Sequence, residues 1–160
     1  MNILRPATKA DWPSILVLNE ESVHFLSPMD EAKLAQWSAA ASYLRVVVQG
    51  GRLAAFLLGF RKGDDYAGVN FAWFATRYDD FVYVDRVVVA ADFRGQKLAD
   101  LLYDDVEAFA RAHGIPRVTC EVNVEPPNPV SLRFHERRGF REVGRERYAG
   151  KTVAMLERRL

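Results

Sequence analysis

The chain has 160 residues, 49% of them hydrophobic and 12% aromatic, the size and composition of one globular domain, 1–160, with a full core. A formal net charge of +1 gives no overall field to recruit nucleic acid or a membrane surface. One Cys and three scattered His offer no internal disulfide and no zinc-type spacing, so a reducing, cytoplasmic setting and no metal are expected.

Met1-Asn2-Ile3-Leu4-Arg5-Pro6 lacks the basic, apolar and small-residue order of a signal peptide, and no apolar run reaches the length of a membrane span. A soluble, unexported chain is expected. Ile3 to Thr8 reads as a first strand, with Thr8 capping a helix that has Asp11 in its first turn and Trp12, Ile15, Leu16 and Leu18 at helical spacing. A second helix runs from Asp30, its N-cap, to about Ser42, with Leu34, Trp37 and Ala41 on one face. Tyr43 to Val48 and Leu53 to Phe60 flank Gly50-Gly51 and predict a hairpin.

Arg61 to Asp80 reads as a long connection holding Tyr66, Phe71, Trp73, Phe74 and Tyr78; these rings are either core or a wall of an acceptor pocket. Phe81 to Val89 is a fourth strand. Lys97 to about His113 is a helix with Leu98, Leu101, Leu102, Val106, Phe109 and Ala110 on one side, ended by Gly114 and Pro116. Arg117 to Val124 is a fifth strand, in which Cys120 reads as a small buried residue rather than a nucleophile. Pro129 to Arg138 forms a helix stopped by Gly139. Phe140 to Tyr148 and Thr152 to Glu157 are two last strands. The order predicts an α/β fold, a mixed sheet with helices on its faces.

Between the fourth strand and its helix, Val87-Val88-Val89 passes through Ala90-Ala91-Asp92-Phe93 into Arg94-Gly95-Gln96-Lys97-Leu98-Ala99. A strand that feeds a helix N-terminus through a short Gly turn aims several unpaired N–H groups and the positive end of the helix dipole at one spot. Such a spot suits a phosphate or pyrophosphate. Near the end of the chain, Arg133 to Leu160 carries nine Lys or Arg against four Glu, which reads as a solvated basic face or as help for a polyanionic cofactor.

With the turn in place, and Asn128-Pro129-Val130-Ser131-Leu132-Arg133-Phe134-His135-Glu136-Arg137-Arg138-Gly139-Phe140 after strand five, nearly the whole chain resembles the GNAT superfamily of acetyl-CoA-dependent N-acetyltransferases. The likeness includes the opening Ile3-Leu4-Arg5-Pro6-Ala7-Thr8 and the family's Arg/Gln-x-x-Gly-x-Gly/Ala turn. It implies a mostly antiparallel sheet splayed between strands four and five, with acetyl-CoA in the gap. The pantetheine arm would pair with backbone of Val87, Val88 and Val89, and the pyrophosphate would sit on amides of Gly95, Gln96, Lys97, Leu98 and Ala99, with Arg94 opening the turn. Asn128 and Ser131 match positions that face the pantetheine, and Asn128 before Pro129 also suits a helix cap. The resemblance further implies a homodimer, which no residue pattern here carries.

Two positions depart from the family pattern. Lys97 stands where the turn has its central Gly, so a Cβ takes room near the phosphate while an ammonium offers it charge. His135 stands where the family commonly has a Tyr thought to protonate the departing CoA thiolate; Phe134-His135, with Glu121-Val122-Asn123 before it, is similar to one branch of the superfamily. A His titrating near 6.5 can carry that proton, and a helix-surface His is the alternative.

Acetyl transfer to an amine needs a base, because an alkyl amine is mostly protonated at pH 7. By the period of two, Asp85 shares a face with Tyr83, Val87 and Val89, which makes it the first candidate, and Glu121 beside the proposed splay is the second. For either, a buried ion pair with Arg86 or Arg117 is the structural alternative. A backbone N–H near Val89 would hold the oxyanion. No Ser-His-Asp set or reactive Cys competes, so the amine attacks directly. The expected activity is transfer of acetyl from acetyl-CoA to a small-molecule amine or amino-acid-like acceptor; a regulatory domain that binds CoA or acyl-CoA without turnover is the alternative.

Overall fold

The computed structural model describes all 160 residues. Seven strands form one sheet: β1 (Asn2–Pro6), β2 (Tyr43–Gln49), β3 (Arg52–Arg61), β4 (Val82–Val89), β5 (Arg117–Glu125), β6 (Arg141–Tyr148) and β7 (Lys151–Arg159), in the spatial order β1-β2-β3-β4-β5-β7-β6. Every neighbouring pair is antiparallel except β4 and β5. The expected hairpin between β2 and β3 turns at Gly50 (φ 57°) and Gly51 (φ 76°), the left-handed pair that matches strand twist.

Five α-helices cover the sheet: α1 (Trp12–Glu21), α2 (Glu31–Ala40), α3 (Val69–Ala75), α4 (Leu98–Ala112) and α5 (Pro129–Arg137). Short side chains with acceptor oxygens start two of them. The Asp11 carboxylate accepts from the Thr8 amide at 2.7 Å ahead of α1, and Asp30 accepts from the Lys33 amide at 2.8 Å at the head of α2. One face of the sheet buries Leu98, Leu102, Tyr103, Val106 and Ala110 of α4 against Val82, Val84, Val118 and Cys120. The other buries Ile15, Leu34, Trp37, Phe71 and Phe74 against Phe56, Phe60, Phe81 and Tyr83.

Three features differ from the sequence reading. The Arg61–Asp80 connection contains α3, only seven residues long. Isolated helices of that length are unstable, but Phe71 and Phe74, one turn apart, pack on Phe81 and Tyr83 and hold it. The second feature is a β-bulge in β4: Leu58 faces Arg86 and Gly59 faces Val84, so Asp85 has no partner. The extra residue reverses the alternation. Tyr83 and Val88 lie in the α1–α3 core while Val84, Val87 and Val89 pack toward α4, so the face that Asp85, Tyr83, Val87 and Val89 were expected to share does not exist.

Third, the basic end of the chain is paired rather than simply solvated. Arg138 bridges to Asp100, Asp104 and Glu107 of α4, and Arg158 reaches Glu107 at 2.8 Å. These contacts tie α5 and β7 to the acidic side of α4.

Candidate active site

The parallel partners β4 and β5 are bonded only through Val82–Val118 and Tyr83–Thr119, and beyond that they diverge, as expected. From Val84 to Val89 the β4 edge nearest β5 has no ladder partner. The opening is a cleft of about 810 Å³ lined by Val87, Val88, Val89, Arg94, Ala99, Asn128, Ser131 and His135 among others. An unpartnered strand edge receives an extended, amide-bearing chain as an added strand.

At the C-terminal end of β4 a one-turn 3-10 helix, Ala91–Phe93, leads through Arg94 and Gly95 (φ 80°) to Lys97, the N-cap of α4. No backbone carbonyl accepts from the amides of Gly95 to Asp100. Six unpaired donors at the positive end of a 15-residue helix fit a pyrophosphate. The side chains divide differently from the backbone. Leu98 is buried under α4, and Gln96 is turned to the β2–β3 hairpin, accepting from Gln49 Nε2 at 2.9 Å. Lys97 adopts φ 58°, and its side chain makes no ion pair or hydrogen bond. The family's Gly at this place therefore meets a conformational demand as well as a steric one.

Pro129 occupies the first turn of α5, and Asn128 Oδ1 accepts from the Ser131 amide at 3.3 Å. Asn128 is thus a helix cap that also borders the cleft. His135 is 4% exposed, with edge-to-face contacts to Tyr103, Phe134 and Phe140. Its Nδ1 lies 2.8 Å from the Ser131 carbonyl, which can only accept, so the proton is on Nδ1 and Nε2 accepts from the Tyr103 hydroxyl at 2.6 Å. Burial first, then the Arg138 charge, draw the His135 pKa down to about 4, against the bond to Ser131. An imidazole in this state has no proton aimed at the cleft. Tyr103 also lines the cleft, and its single hydroxyl proton is donated to Nε2.

Both candidate carboxylates border the cleft, in different states. Asp85 accepts from the Tyr66 hydroxyl and pairs with Arg86 Nε at 2.6 Å, both members of the pair being about 95% buried, so the ion-pair alternative is realised for Asp85. Arg86 also donates to Asn19 Oδ1 (2.9 Å) and to the carbonyl (3.0 Å) and hydroxyl (3.0 Å) of Ser27, and it lies over Trp37. Glu121 has no cationic partner, because Arg117 points to Glu157. It accepts from the Tyr83 hydroxyl at 2.6 and 2.9 Å, and burial, with Asp85 adding to it, pushes its pKa up to about 8 despite that bond. Burial pushes the Cys120 thiol up as well, which keeps it protonated and inert.

Tyr66 is one of the rings expected as core or pocket wall and lines the cleft, whereas Asn70 and Tyr103 escape sequence reasoning. Tyr66 stacks on Phe60 with centroids 3.9 Å apart, a placement that needs Gly68, where a Cβ would fall 2.5 Å from the Tyr66 ring. Tyr103 hides within the apolar face of α4, and Asn70 lies on the short helix α3. The spacing of Phe71 and Phe74 was the available signal for α3. Nothing local marks Asn70 or Tyr103.

A mixed sheet split between its two parallel strands, with a turn of unpaired amides at one end and a carboxylate without a cationic partner within, fits an acyltransferase. Residues 9–140 match the model of the Acetyltransferase (GNAT) family, and the chain belongs to that family. No curated protein matches it. Among solved structures it is similar to an N-acetyltransferase from Staphylococcus aureus (16% identity, 99% of this chain and 98% of that one, TM-score 0.78). A ribosomal-protein-alanine N-acetyltransferase from Brucella melitensis is also similar (18% identity, 99% of each chain, TM-score 0.75). So is Arabidopsis thaliana Naa50 in complex with the bisubstrate analogue CoA-Ac-MVNAL (14% identity, 98% and 97%, TM-score 0.75). At these identities the likeness is one of fold. No helix is long and apolar enough to cross a membrane.

Proposed function

We propose that the protein moves an acetyl group from acetyl-CoA to the amine of a small-molecule or amino-acid-like acceptor by direct attack. The observation that carries this reading is Glu121, an unpaired carboxylate in the splayed cleft with its pKa raised to about 8. A carboxylate so poised is a competent base toward an ammonium group, whereas Asp85 is held by Arg86 and Tyr66. Asp85 then shapes the site and lifts Glu121 by its charge.

The amides of Gly95 to Ala99 bind the pyrophosphate, with charge from Arg94 and Lys97, and the β4 edge at Val87–Val89 pairs with the pantetheine. The amine gives one proton to Glu121 and attacks the thioester carbonyl. A free N–H of that strand edge receives the oxyanion. The N–C bond forms, the C–S bond breaks, and the leaving thiolate takes its proton from the Tyr103 hydroxyl as that hydroxyl turns from Nε2 of His135; the phenolate regains a proton from solvent when CoA leaves. His135 thus serves as the positioning partner of the acid.

Two measurements test the reading: thermal unfolding with and without acetyl-CoA, and amine-dependent release of CoA thiol. Binding at about 100 times the dissociation constant adds roughly 2.7 kcal/mol, or several degrees for a domain of this size. No shift at millimolar acetyl-CoA would overturn the reading. A shift without turnover of any amine would favour the CoA-binding regulatory alternative.

A further inference from the structure

Asn70 is 7% exposed and lies in the wall of the cleft. Its Nδ2 donates to the Tyr148 hydroxyl at 2.8 Å, and its Oδ1 is buried with no partner at all. Buried carbonyl oxygens are almost always paired, so an orphaned one bordering a binding cleft marks the place of a donor that arrives with a ligand. The Asn70 amide also lies close enough to Glu121 to stabilise its charged form. Two acceptors, one neutral and one ionisable, therefore belong to the wall of one cleft.

That geometry selects the acceptor. A neutral primary amine has two N–H bonds and one lone pair; Asn70 Oδ1 and Glu121 take the N–H bonds and leave the lone pair for the carbonyl. A secondary amine can satisfy only one of the two. The wall beside them is apolar and aromatic: Phe25, Leu26, Tyr66, Val69, Tyr83 and Val153.

The cations that line the cleft are engaged or set apart from Glu121, with Arg94 at the turn that leads to α4. Arg86 is fully engaged by Asp85, Asn19 and Ser27. Lys151 is four residues from Met155, the register partner of Glu121, and so about 13 Å along β7. A carboxylate next to the amine would lie beside the carboxylates of Asp85 and Glu121. We propose, resting on the acetyltransferase reading above, that the acceptor is a primary amine on an uncharged carbon bearing an apolar or aromatic group, read by the unpartnered Oδ1 of Asn70 together with Glu121.

The probes are phenethylamine, N-methylphenethylamine, phenylalanine and phenylalaninamide, the last keeping the bulk of phenylalanine without its charge. CoA thiol release is followed for the wild type, Asn70→Ala and Tyr148→Phe. Tyr148→Phe removes the same hydrogen bond from α3 but leaves Oδ1 in place, so it reports a merely structural role. Phenethylamine and phenylalaninamide are expected to exceed phenylalanine and N-methylphenethylamine in kcat/KM by about tenfold or more, a gap of roughly 1.4 kcal/mol. Asn70→Ala should raise the amine KM by up to about tenfold, the worth of one hydrogen bond. The acetyl-CoA KM should stay unchanged, and Tyr148→Phe should leave the amine KM within about threefold.

Phenylalanine matching phenethylamine, no turnover of any probe by a protein that binds acetyl-CoA, or equal effects of the two substitutions would overturn the proposal alone. Failure to bind acetyl-CoA, read by thermal shift on the same sample, would instead overturn the acetyltransferase reading and the proposal with it.

Discussion

The Tyr103 hydroxyl donates to Nε2 of His135 across 2.6 Å, while the single proton of that imidazole is held on Nδ1 by the Ser131 carbonyl. The pair joins α4 to α5 at the cleft, and to protonate a thiolate the phenol must turn its one hydrogen away from Nε2. Tyr103→Phe is expected to lower kcat by about 10²-fold, the lower end of general-acid effects, with acetyl-CoA affinity unchanged. His135→Gln, whose amide oxygen still accepts from the phenol, should retain more activity than His135→Ala. Steady-state kinetics with a kcat against KM split check both. An unchanged kcat in Tyr103→Phe would remove the phenol from the mechanism.

The buried state of His135 also bears on acid stability. Its pKa is near 4 in the folded chain and about 6.5 when unfolded. Between those values the unfolded state binds more protons, so the contribution is fully present above about pH 6.5 and is lost as pH falls toward 4. His135→Gln should flatten this part of the curve. Urea unfolding at a series of pH values from 7 to 4 measures it.

Lys97 combines strain with charge. A non-Gly residue at φ 58° costs about 1 kcal/mol, so Lys97→Gly should raise Tm by roughly 2–4 °C. The same change removes an unpaired ammonium from the pyrophosphate turn and should weaken acetyl-CoA binding, more so at low salt than at high. Calorimetric titration at two ionic strengths separates the effects; tighter binding would show that the side chain only obstructs.

The Asp85–Arg86 pair, with both side chains about 95% buried, serves structure first. Asp85→Ala leaves the guanidinium without its carboxylate and should cost about 3–5 kcal/mol, read as a large drop in the urea midpoint. Asp85→Ala combined with Arg86→Met removes both charges and should recover much of that loss.

Most elements announce themselves in the sequence because their periods are long. Leu98, Leu102, Val106 and Ala110 repeat at one helical face, and Gly50-Gly51 and Ala149-Gly150 mark hairpins whose turn residues have positive φ. The turn of unpaired amides before α4 is legible for the same reason, being contiguous. What is not legible depends on contacts across the chain. The bulge at Asp85 breaks the two-residue alternation without a local signal, which misassigned the face of the first candidate base. Helix α3 offers only the one-turn pair Phe71 and Phe74 as a signal and is held by rings at and just before β4. The states of His135 and Glu121 are set first by burial, and their hydroxyl partners, Tyr103 and Tyr83, lie thirty-two and thirty-eight residues away. Sequence spacing therefore found both carboxylates but not which one is free.

That distinction is most directly tested by the pH dependence of kcat/KM for amine acetylation in the wild type and Glu121→Gln. With its pKa near 8, Glu121 is protonated and unable to accept a proton below that value, so the wild-type rate should rise through about pH 8. Glu121→Gln should be slower by about 10²-fold and keep only the rise that belongs to ionisation of the amine itself. A Glu121→Gln enzyme with wild-type rate and an unchanged profile would contradict the assignment of Glu121 as the base.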